Sequence, residues 1–572
     1  MENKIIKIII DGQEILAREG QTILEAAEEN GLVIPKLCYH PDLKVKANCR
    51  LCMAEIEGEK NMLMTCATKV KEGMKITIKS ERINRARKTN LELIFGQHQL
   101  KCAACPWGTH CDLLKMGRDY GAKINKYANR KLNRKIYQYG PIVLDGTKCI
   151  DCRNCVEACP VDYLEIKGKG PEIEIVPSED KNKDCIYCGQ CIVHCPVGAI
   201  EAESQFKLPK EKGKILVVQF APSVRSTIGE EFGFEPGEDM TERIAAGLRK
   251  LGFDRVYDTS VGADLTTVIE AEELIERLKE NKFLPMFTSC CPAWVSFVEF
   301  YYPEFMPNLT TARSPHMMLG GVVKKYMAQN EKIDIKNIVM VSVMPCTAKK
   351  FEATRSELFH HGIKPVDAVV TTRELASLFK KNGIDLKTIK PEPADHPFGD
   401  YSGAAIIYGA SGGVMESALR TAAAIITDGK VIKCDFEKVR GIQGIKKAKV
   451  DVEGKVISVA VVSGIKNAKI ILEEIKKDPQ AYHYVEFMAC PGGCIGGGGQ
   501  PVPVSDEIRK KRAAGLYKLD QGCDIRLSHK NPIVSDIQKN FSYDELHHIV
   551  HTTYSHKKRG EIKGFLSDDS RN

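Results

Sequence analysis

Two adjacent cysteines, Cys290 and Cys291, stand in Thr288-Ser289-Cys290-Cys291-Pro292-Ala293-Trp294, between the apolar run 283–287 and a second apolar stretch, 294–298. This pattern reads as a strand-to-helix turn, which presents backbone N–H groups and two thiols at one spot. Successive side chains at a turn diverge, so one thiol can ligate a metal while its neighbour faces elsewhere. The alternative is a pair of buried structural thiols. Two more apolar runs end in cysteine: Met344-Pro345-Cys346-Thr347-Ala348-Lys349 follows residues 338–343, and Cys490 and Cys494 form a CxxxC pair after Glu486-Phe487-Met488. Ligands collect at the carboxyl ends of parallel strands, so Cys291, Cys346, Cys490 and Cys494 can converge as four thiolates, a donor set suited to an iron–sulfur cube or to zinc. The four glycines 496–499 read either as a flexible linker or as backbone that lets a bulky cofactor approach.

The other cysteines are also spaced as ligands. Cys149, Cys152, Cys155 and Cys159-Pro160 form one CxxCxxCxxxCP run, and Cys185, Cys188, Cys191 and Cys195-Pro196 repeat it. In this motif the fourth cysteine ligates the other cluster, which pairs Cys149, Cys152 and Cys155 with Cys195, and Cys185, Cys188 and Cys191 with Cys159. Cys38, Cys49, Cys52 and Cys66 form a further quartet whose tight Asn48-Cys49-Arg50-Leu51-Cys52 loop resembles that of plant-type 2Fe-2S ferredoxins, with zinc the competing reading. His98, Cys102, Cys105 and Cys111 place one imidazole beside three thiols, whereas His110 falls outside that spacing. Cys290, Cys434 and Cys523 remain, and the last two are expected to be buried thiols.

TSCCPAW, MPCTAKKFE and EFMACPGGCIGGGGQP resemble the three signature segments of FeFe-hydrogenases, and the resemblance covers nearly the whole chain. It implies a 4Fe-4S cube on Cys291, Cys346, Cys490 and Cys494, with Cys494 bridging to a two-iron unit that carries CO, CN and an azadithiolate. Together they form the H-cluster. It implies one 2Fe-2S and three accessory 4Fe-4S clusters, one of them the one-histidine, three-cysteine site shared with the large iron–sulfur subunit of respiratory NADH dehydrogenase. It further implies a proton relay through Cys290, Glu270, Thr310, Glu273 and Arg277, in which Thr310 replaces the serine of many relatives. Around the two-iron unit, Pro222, Ser223, Ser289, Met344, Lys349, Glu352 and Met488 match pocket positions. Ala293 and His316 stand where glycine and glutamine are common.

The elements that must position these groups are legible as patterns. Residues 5–10 and 14–17 read as a hairpin about Asp11-Gly12, and residues 22–29 as a helix capped by Thr22. Strand–helix alternation from residue 214 onward argues for α/β structure with largely parallel sheets. Residues 264–279 read as a helix on which Glu270, Glu273 and Arg277 share one stripe beside an apolar face, a pattern that by periodicity alone is a solvated salt-bridge stripe. Gly409-Ala410-Ser411-Gly412-Gly413 lacks the spacing of a dinucleotide loop and reads as close packing against the cofactor. His547, His548 and His551 at helical spacing read as polarity of a helix surface.

The expected fold is multidomain α+β and α/β. It comprises a β-grasp 2Fe-2S domain (1–80), a small one-histidine, three-cysteine cluster domain (81–139), a two-cluster ferredoxin domain (140–205), a two-lobed α/β catalytic domain (206–501) and a fused small-subunit-like segment (502–572). The length of 572 residues exceeds what one core serves. The 22 cysteines cluster at ligand spacings, which favours metal binding in a reducing, cytoplasmic setting over a disulfide framework. No run approaches the roughly 20 apolar residues of a membrane span, and no aromatic-basic interleaving suggests nucleic acid. The net charge of +8 suits docking of ferredoxin or a similar acidic carrier. The resemblance also implies H-cluster maturation proteins as partners. The expected activity is reversible reduction of protons to dihydrogen with electrons from reduced ferredoxin. The alternatives are the catalytic subunit of an NAD-linked, electron-bifurcating complex, a non-enzymatic iron–sulfur assembly protein, and a dihydrogen sensor.

Overall fold

Ile6, Ile8 and Ile10 point to one side of the strand Ile5–Ile10 and are buried, while Ile5 is 56% exposed, the alternation of a half-covered strand. The computed structural model describes residues 4–98, 111–127, 133–203, 213–429, 435–452 and 454–557. The chain divides into two units: Met1–Gln138 with Val143–Glu179 and His194–Glu201, and Tyr139–Ile142 with Asp180–Val193 and Ala202–Asn572.

In the first unit a five-stranded mixed sheet runs in the order Gln13–Arg18, Ile5–Ile10, Lys75–Thr77, Met53–Ile56, Leu63–Met64. The first two strands pair antiparallel from Ile5↔Arg18 to Ile10↔Gln13, and Ile5–Ile10 runs parallel to Lys75–Thr77. The helix Ile23–Glu29 starts on a capping box between Thr22 and Glu25 and buries Ile23, Leu24, Ala26 and Ala27 in the core of this sheet. The helix Glu81–Phe95 follows, and its Arg87 is buried. That guanidinium donates to the carbonyls of Leu51, Ile78 and Met53, tying the cysteine loop to the sheet.

The second unit holds two sheets. One is fully parallel, in the order Arg255–Asp258, Ile215–Phe220, Ile338–Met344, Ala368–Thr371. The other runs Met286–Phe287, Tyr484–Met488, Lys455–Ser463, Ile445–Val452, with only the last pair antiparallel. Each sheet is buried against helices in its own apolar cluster. Both release their cysteines at the carboxyl ends of strands: Cys291 and Cys490 follow Met286–Phe287 and Tyr484–Met488, and Cys346 follows Ile338–Met344.

The helix expected over 264–279 extends over Thr259–Glu280, because Asp258 caps it by accepting from the Ser260 N–H. Its early turns combine β-branched residues with Gly262, a poor helix former in isolation. Tertiary packing decides: a Cβ at Gly262 would lie 2.2 Å from the Pro315 carbonyl, so the glycine lets the helix Pro315–Asn330 approach.

The glycines 496–499 are buried, and no linker forms. A Cβ at Gly497 would meet the Pro345 carbonyl at 2.3 Å, and one at Gly498 the Gly189 Cα at 2.5 Å. The neighbouring Gln190 Nε2 donates to the Gly496 carbonyl at 3.0 Å, and Thr347 Oγ1 to the Tyr187 carbonyl at 2.6 Å. The cysteine-bearing loop 187–190 is thus docked backbone to backbone on the ligand loops. Gly498→Ala should cost about 1–3 kcal/mol by overpacking and lower the melting temperature, measured by calorimetry under anaerobic conditions.

Candidate active site

The turn that carries Cys290 and Cys291 is held on three sides. Trp294, fully buried on the helix Pro292–Tyr301, stacks on Phe487 at 3.9 Å and donates Nε1–H to the Thr288 carbonyl at 3.1 Å. Thr288 Oγ1 accepts from the Phe487 N–H at 3.0 Å, and Ser289 Oγ donates to the Ala312 carbonyl at 2.7 Å. The Ala489 N–H reaches Cys291 Sγ at 3.5 Å. Across the Cys490–Cys494 turn, Gly492 and Gly493 have φ of 73° and 90°, and a Cβ on Gly493 would meet the Ser411 N at 2.7 Å. This left-handed turn folds the two thiols back toward each other.

Cys291, Cys346, Cys490 and Cys494 interact electrostatically as a group. Burial raises each thiol, and at Cys346, Cys490 and Cys494 their mutual repulsion adds to it, so that Cys346 is pushed up to about 12. Four desolvated thiols cannot ionise together without a compensating cation. Cys490 Sγ lies 4.0 Å from the Cys188 carbonyl, so this quartet adjoins the loop of the second CxxCxxCxxxCP run.

Cys290 belongs to a different surface. With Cys494 it packs against the apolar cluster of Ala263, Ala405, Tyr408, Val414 and Met488. Burial raises its thiol well above the ordinary value, and Glu270 and the neighbouring cysteines raise it further. Lys349 Nζ donates to the Cys290 carbonyl at 3.0 Å and to Glu352 Oε2 at 2.8 Å. Burial opposes the Lys349 charge, but Glu352, Cys346 and Cys290 outweigh it and raise the ammonium. Burial likewise opposes the Glu352 charge, but Lys349 and His316 hold the carboxylate at about 2. His316 Nε2 meets the same Glu352 oxygen at 2.7 Å, while burial and then Lys349 push the imidazole down to about 4. It is therefore neutral, with Nε2–H donating to the carboxylate.

Two polar atoms here have no hydrogen-bond partner among the described residues: His316 Nδ1 and Ser223 Oγ, the latter just beyond the strand Ile215–Phe220. Pro222, Ser289, Met344, Met488 and Ala293 are buried as well. Four thiols, a buried cation and unpaired polar atoms fit a cluster bearing small anionic ligands better than an apolar ligand.

The expected relay residues divide into an inner and an outer part. Glu270 is fully buried, and its Oε1 accepts from the Tyr484 hydroxyl at 3.0 Å. Its Oε2 has no partner among the described residues. Burial raises this carboxyl to about 8, overcoming the Tyr484 hydrogen bond with help from Glu273 and Glu486. In the outer part, Thr310 Oγ1 donates to Glu273 Oε2 at 2.6 Å and Arg277 donates to Glu273 Oε1 at 2.5 Å. Glu273 also accepts from the N–H and hydroxyl of Thr311. No direct hydrogen bond joins Cys290 to Glu270 or Glu270 to Thr310. Tyr484, Thr311 and Tyr554, whose hydroxyl donates to the Thr310 carbonyl at 2.7 Å, escaped the sequence reading. Tyr484 sits in an apolar run and looks like core, and Tyr554 is 244 residues from its partner.

The residues expected to hold the accessory clusters lie as follows. In the first unit Cys38 and Cys49 hydrogen-bond one another, as do Cys52 and Cys66, which lowers Cys38 and Cys52 to about 6. Cys152 feels Cys195, Cys149 and Cys38 after the larger effect of its burial. His98 is buried and its Nδ1 lies 2.7 Å from the Lys148 carbonyl, which fixes the Nδ1–H tautomer and leaves Nε2 with its lone pair. Burial lowers its pKa, keeping it neutral. Cys111 caps the helix Asp112–Asp119, while Cys102, Cys105 and Cys434 lie outside the described residues. Cys155 and Cys159 belong to the first unit, and Cys185, Cys188 and Cys191 to the second. Cys523 is half-buried, not buried as expected, because it follows the end of the helix Asp506–Gln521; its thiol reaches the Leu519 carbonyl at 3.3 Å. No disulfide joins the described cysteines.

Comparison with known proteins gives a consistent pattern. Residues 214–498 match the C-terminal domain of the iron-only hydrogenase large subunit, and residues 506–557 the iron hydrogenase small subunit. Residues 3–81 match a 2Fe-2S cluster binding domain, 148–199 a 4Fe-4S dicluster domain, and 87–125 the iron–sulfur binding region of NADH-ubiquinone oxidoreductase G. The chain is 39% identical to an NADP-reducing hydrogenase subunit, HndD, of Solidesulfovibrio fructosivorans, over 97% of this chain and 100% of that one. It is 37% identical to iron hydrogenase 1 of Clostridium pasteurianum, over 96% and 99%. A solved structure of a variant of the FeFe-hydrogenase HydA1 from Chlamydomonas reinhardtii superposes with a TM-score of 0.54 at 37% identity, covering 61% of this chain and 96% of that one.

Because Glu270 titrates higher in the folded than in the unfolded chain, its contribution to stability is complete below the unfolded value of 4.5 and declines as pH rises toward about 8. Glu270→Gln should remove that decline. Its melting temperature should gain on that of the parent as pH rises from 5 to 8, and a constant difference would contradict the buried, protonated carboxyl.

Proposed function

Because this chain belongs to the iron-only, or FeFe-, hydrogenase family and is an oxidoreductase acting on dihydrogen, we propose how its own residues divide the work of moving electrons and protons. It carries 2Fe-2S, 4Fe-4S and H-cluster domains. In our reading Cys291, Cys346, Cys490 and Cys494 would hold the cube, and Cys494 would also serve the two-iron unit. The bound H-cluster supplies the redox chemistry that joins two electrons and two protons as dihydrogen. One 2Fe-2S cluster rests on Cys38, Cys49, Cys52 and Cys66, and three 4Fe-4S clusters rest on the remaining ligand sets, with His98 as the nitrogen donor.

The clusters these residues would hold would supply the path for electrons from a reduced ferredoxin or a similar acidic carrier. The charge coupling of Cys38 with Cys152 and the approach of Cys490 to the Cys188 carbonyl support this path. The reduced cysteine set supports a cytoplasmic setting, and assembly of the two-iron unit calls for dedicated maturation proteins. No helix among the described residues is long and apolar enough to cross a membrane.

Protons take a separate route. Cys290 is the inner donor: its thiol is kept neutral by burial and so holds a proton until the site needs one. Glu270, poised at about 8, exchanges protons near working pH, and its unpaired Oε2 is where a water can bridge toward Thr310. Lys349, Glu352 and Ser223 orient the anionic ligands of the two-iron unit, with Lys349 as donor. Pro222, Ser289, Met344 and Met488 line that pocket. The observation that carries this reading is the thiol of Cys290, one residue from the quartet, packed against the cluster of Ala263, Ala405, Tyr408, Val414 and Met488.

A second reading, in which this chain is the dihydrogen-activating subunit of a nicotinamide-linked complex, is favoured by its 39% identity to the NADP-reducing hydrogenase subunit. Co-purification with a flavin-binding subunit would decide between free and complexed forms.

Cys290→Ala should retain iron content and the paramagnetic resonance of the reduced clusters while dihydrogen evolution falls by about 100-fold or more. Evolution near the parent rate would remove Cys290 from the route.

A further inference from the structure

The outer end of the proton route poses a chemical problem. Arg277 is only 8% exposed, and its Nη1 donates to the carbonyls of Phe283, Pro307 and Asn308. Its Nη2 donates to the Leu309 carbonyl and to Glu273. A guanidinium so engaged does not release a proton near neutral pH. It positions Glu273 and is a poor proton donor to it.

The other side of Glu273 offers a better donor. Glu273 Oε2 accepts from Thr311 Oγ1 at 3.0 Å, and the same Thr311 oxygen lies 2.8 Å from His551 Nδ1. A hydroxyl has one hydrogen. Because Thr311 donates it to the carboxylate, the contact with His551 runs from Nδ1–H to the Thr311 oxygen, and the three groups form a directional chain. His551 differs here from the helix-surface polarity expected of it. It lies just past the helix Tyr543–Val550, where Ala312 and His551 form an antiparallel bridge and turn the ring onto Thr311. Arg313 N–H donates to the Val550 carbonyl at 2.7 Å, Thr552 N–H to the Thr311 carbonyl at 2.8 Å, and Arg313 Nε to the His551 carbonyl at 2.7 Å.

Outward from His551 the rings continue. His547 lies 4.5 Å away between centroids, His548 6.1 Å from His547, His360 5.4 Å from His548, and His361 4.1 Å from His360. His547, His548 and His361 are exposed, so the array runs from water to a half-buried ring.

We propose that His551 is the group through which solvent protons reach Glu273, with the surface histidines as its collecting array. This rests on the relay reading above and deepens it. The step balances without electrons: Nε2 of His551 takes a proton from water or a neighbouring imidazole, Nδ1–H passes to the Thr311 oxygen, and the Thr311 hydrogen moves to the Glu273 carboxylate. Rotation of the hydroxyl and tautomerisation of the imidazole, with a proton regained at Nδ1 and one lost from Nε2 to water, reset the chain, and dihydrogen oxidation runs it backwards. The charged and titratable groups facing His551 are Glu273 across Thr311, which favours the imidazolium, and Arg313 and His547, which disfavour it. Burial also lowers its pKa. The array itself faces Arg313 and Lys325, and Lys325 is paired with Glu545.

The test compares full-length, matured parent with His551→Gln, whose amide can still donate to Thr311 but carries no proton, and with His551→Ala. Dihydrogen evolution is followed from pH 5 to 9, alongside the infrared bands of the cofactor and the melting temperature. His551→Gln should lose turnover about tenfold or more and lack the histidine-range inflection of the parent profile, with infrared bands unchanged. Added imidazole should restore His551→Ala. An unchanged rate and profile in His551→Gln, or no rescue of a folded His551→Ala, overturns the proposal while leaving Cys290 and Glu270 in place. An inactive, fully matured parent overturns both.

Discussion

Sulfur buried without water is the constraint on which this molecule rests. Cys291, Cys346, Cys490 and Cys494 emerge from the carboxyl ends of strands in both parallel regions of the second unit, and burial is the largest influence on each. A thiolate in such a place needs positive charge, and protein cations are scarce here: Lys349 is the one that acts on three of the four. In the proposed reading metal is the remaining source, which would couple folding to metal binding in this region. The buried Lys349–Glu352–His316 group then makes sense as a fixed local charge arrangement beside the cluster.

The same need for closeness explains the glycines. The turn through Gly492 and Gly493 returns the chain on itself between two ligands, and the glycine run after Cys494 packs on Pro345, Gly189 and Thr371 where any side chain would collide. These contacts set the ligand loops against Tyr187–Gln190 peptide groups, which keeps an accessory ligand loop next to the quartet. In the proposed scheme the two currents would thereby be separated, electrons on the Cys490 side and protons on the Cys290 side, along the helix Thr259–Glu280.

What could be read from the sequence follows from the range of the interactions involved. Cluster ligands are local patterns, so the two CxxCxxCxxxCP runs, the TSCCPAW turn and the parallel strand ends were visible as residue spacing. Expected roles such as that of Lys349 came from family resemblance, since a lysine three residues after a cysteine has no distinctive pattern. Contacts across the fold were not visible. Tyr484 meets Glu270 over 214 residues, and His551 meets Thr311 over 240. The stripe of Glu270, Glu273 and Arg277 looks solvated by periodicity, yet the fold covers it with the strand ending at Met488 and the segment 307–311. The first turn of that helix was missed because its cap and the close approach of Pro315 outweigh the weak propensity of Thr259-Ser260-Val261-Gly262.

The account stands or falls on what the quartet of thiols holds. Infrared spectroscopy of anaerobically matured protein in the region of iron-bound CO and CN stretches tests this most directly, with Cys494→Ser as the comparison. Sharp bands in the parent that are lost or shifted in Cys494→Ser are the predicted result. Absence of such bands from fully matured parent protein, with zinc or a lone cube at these thiols, would contradict it.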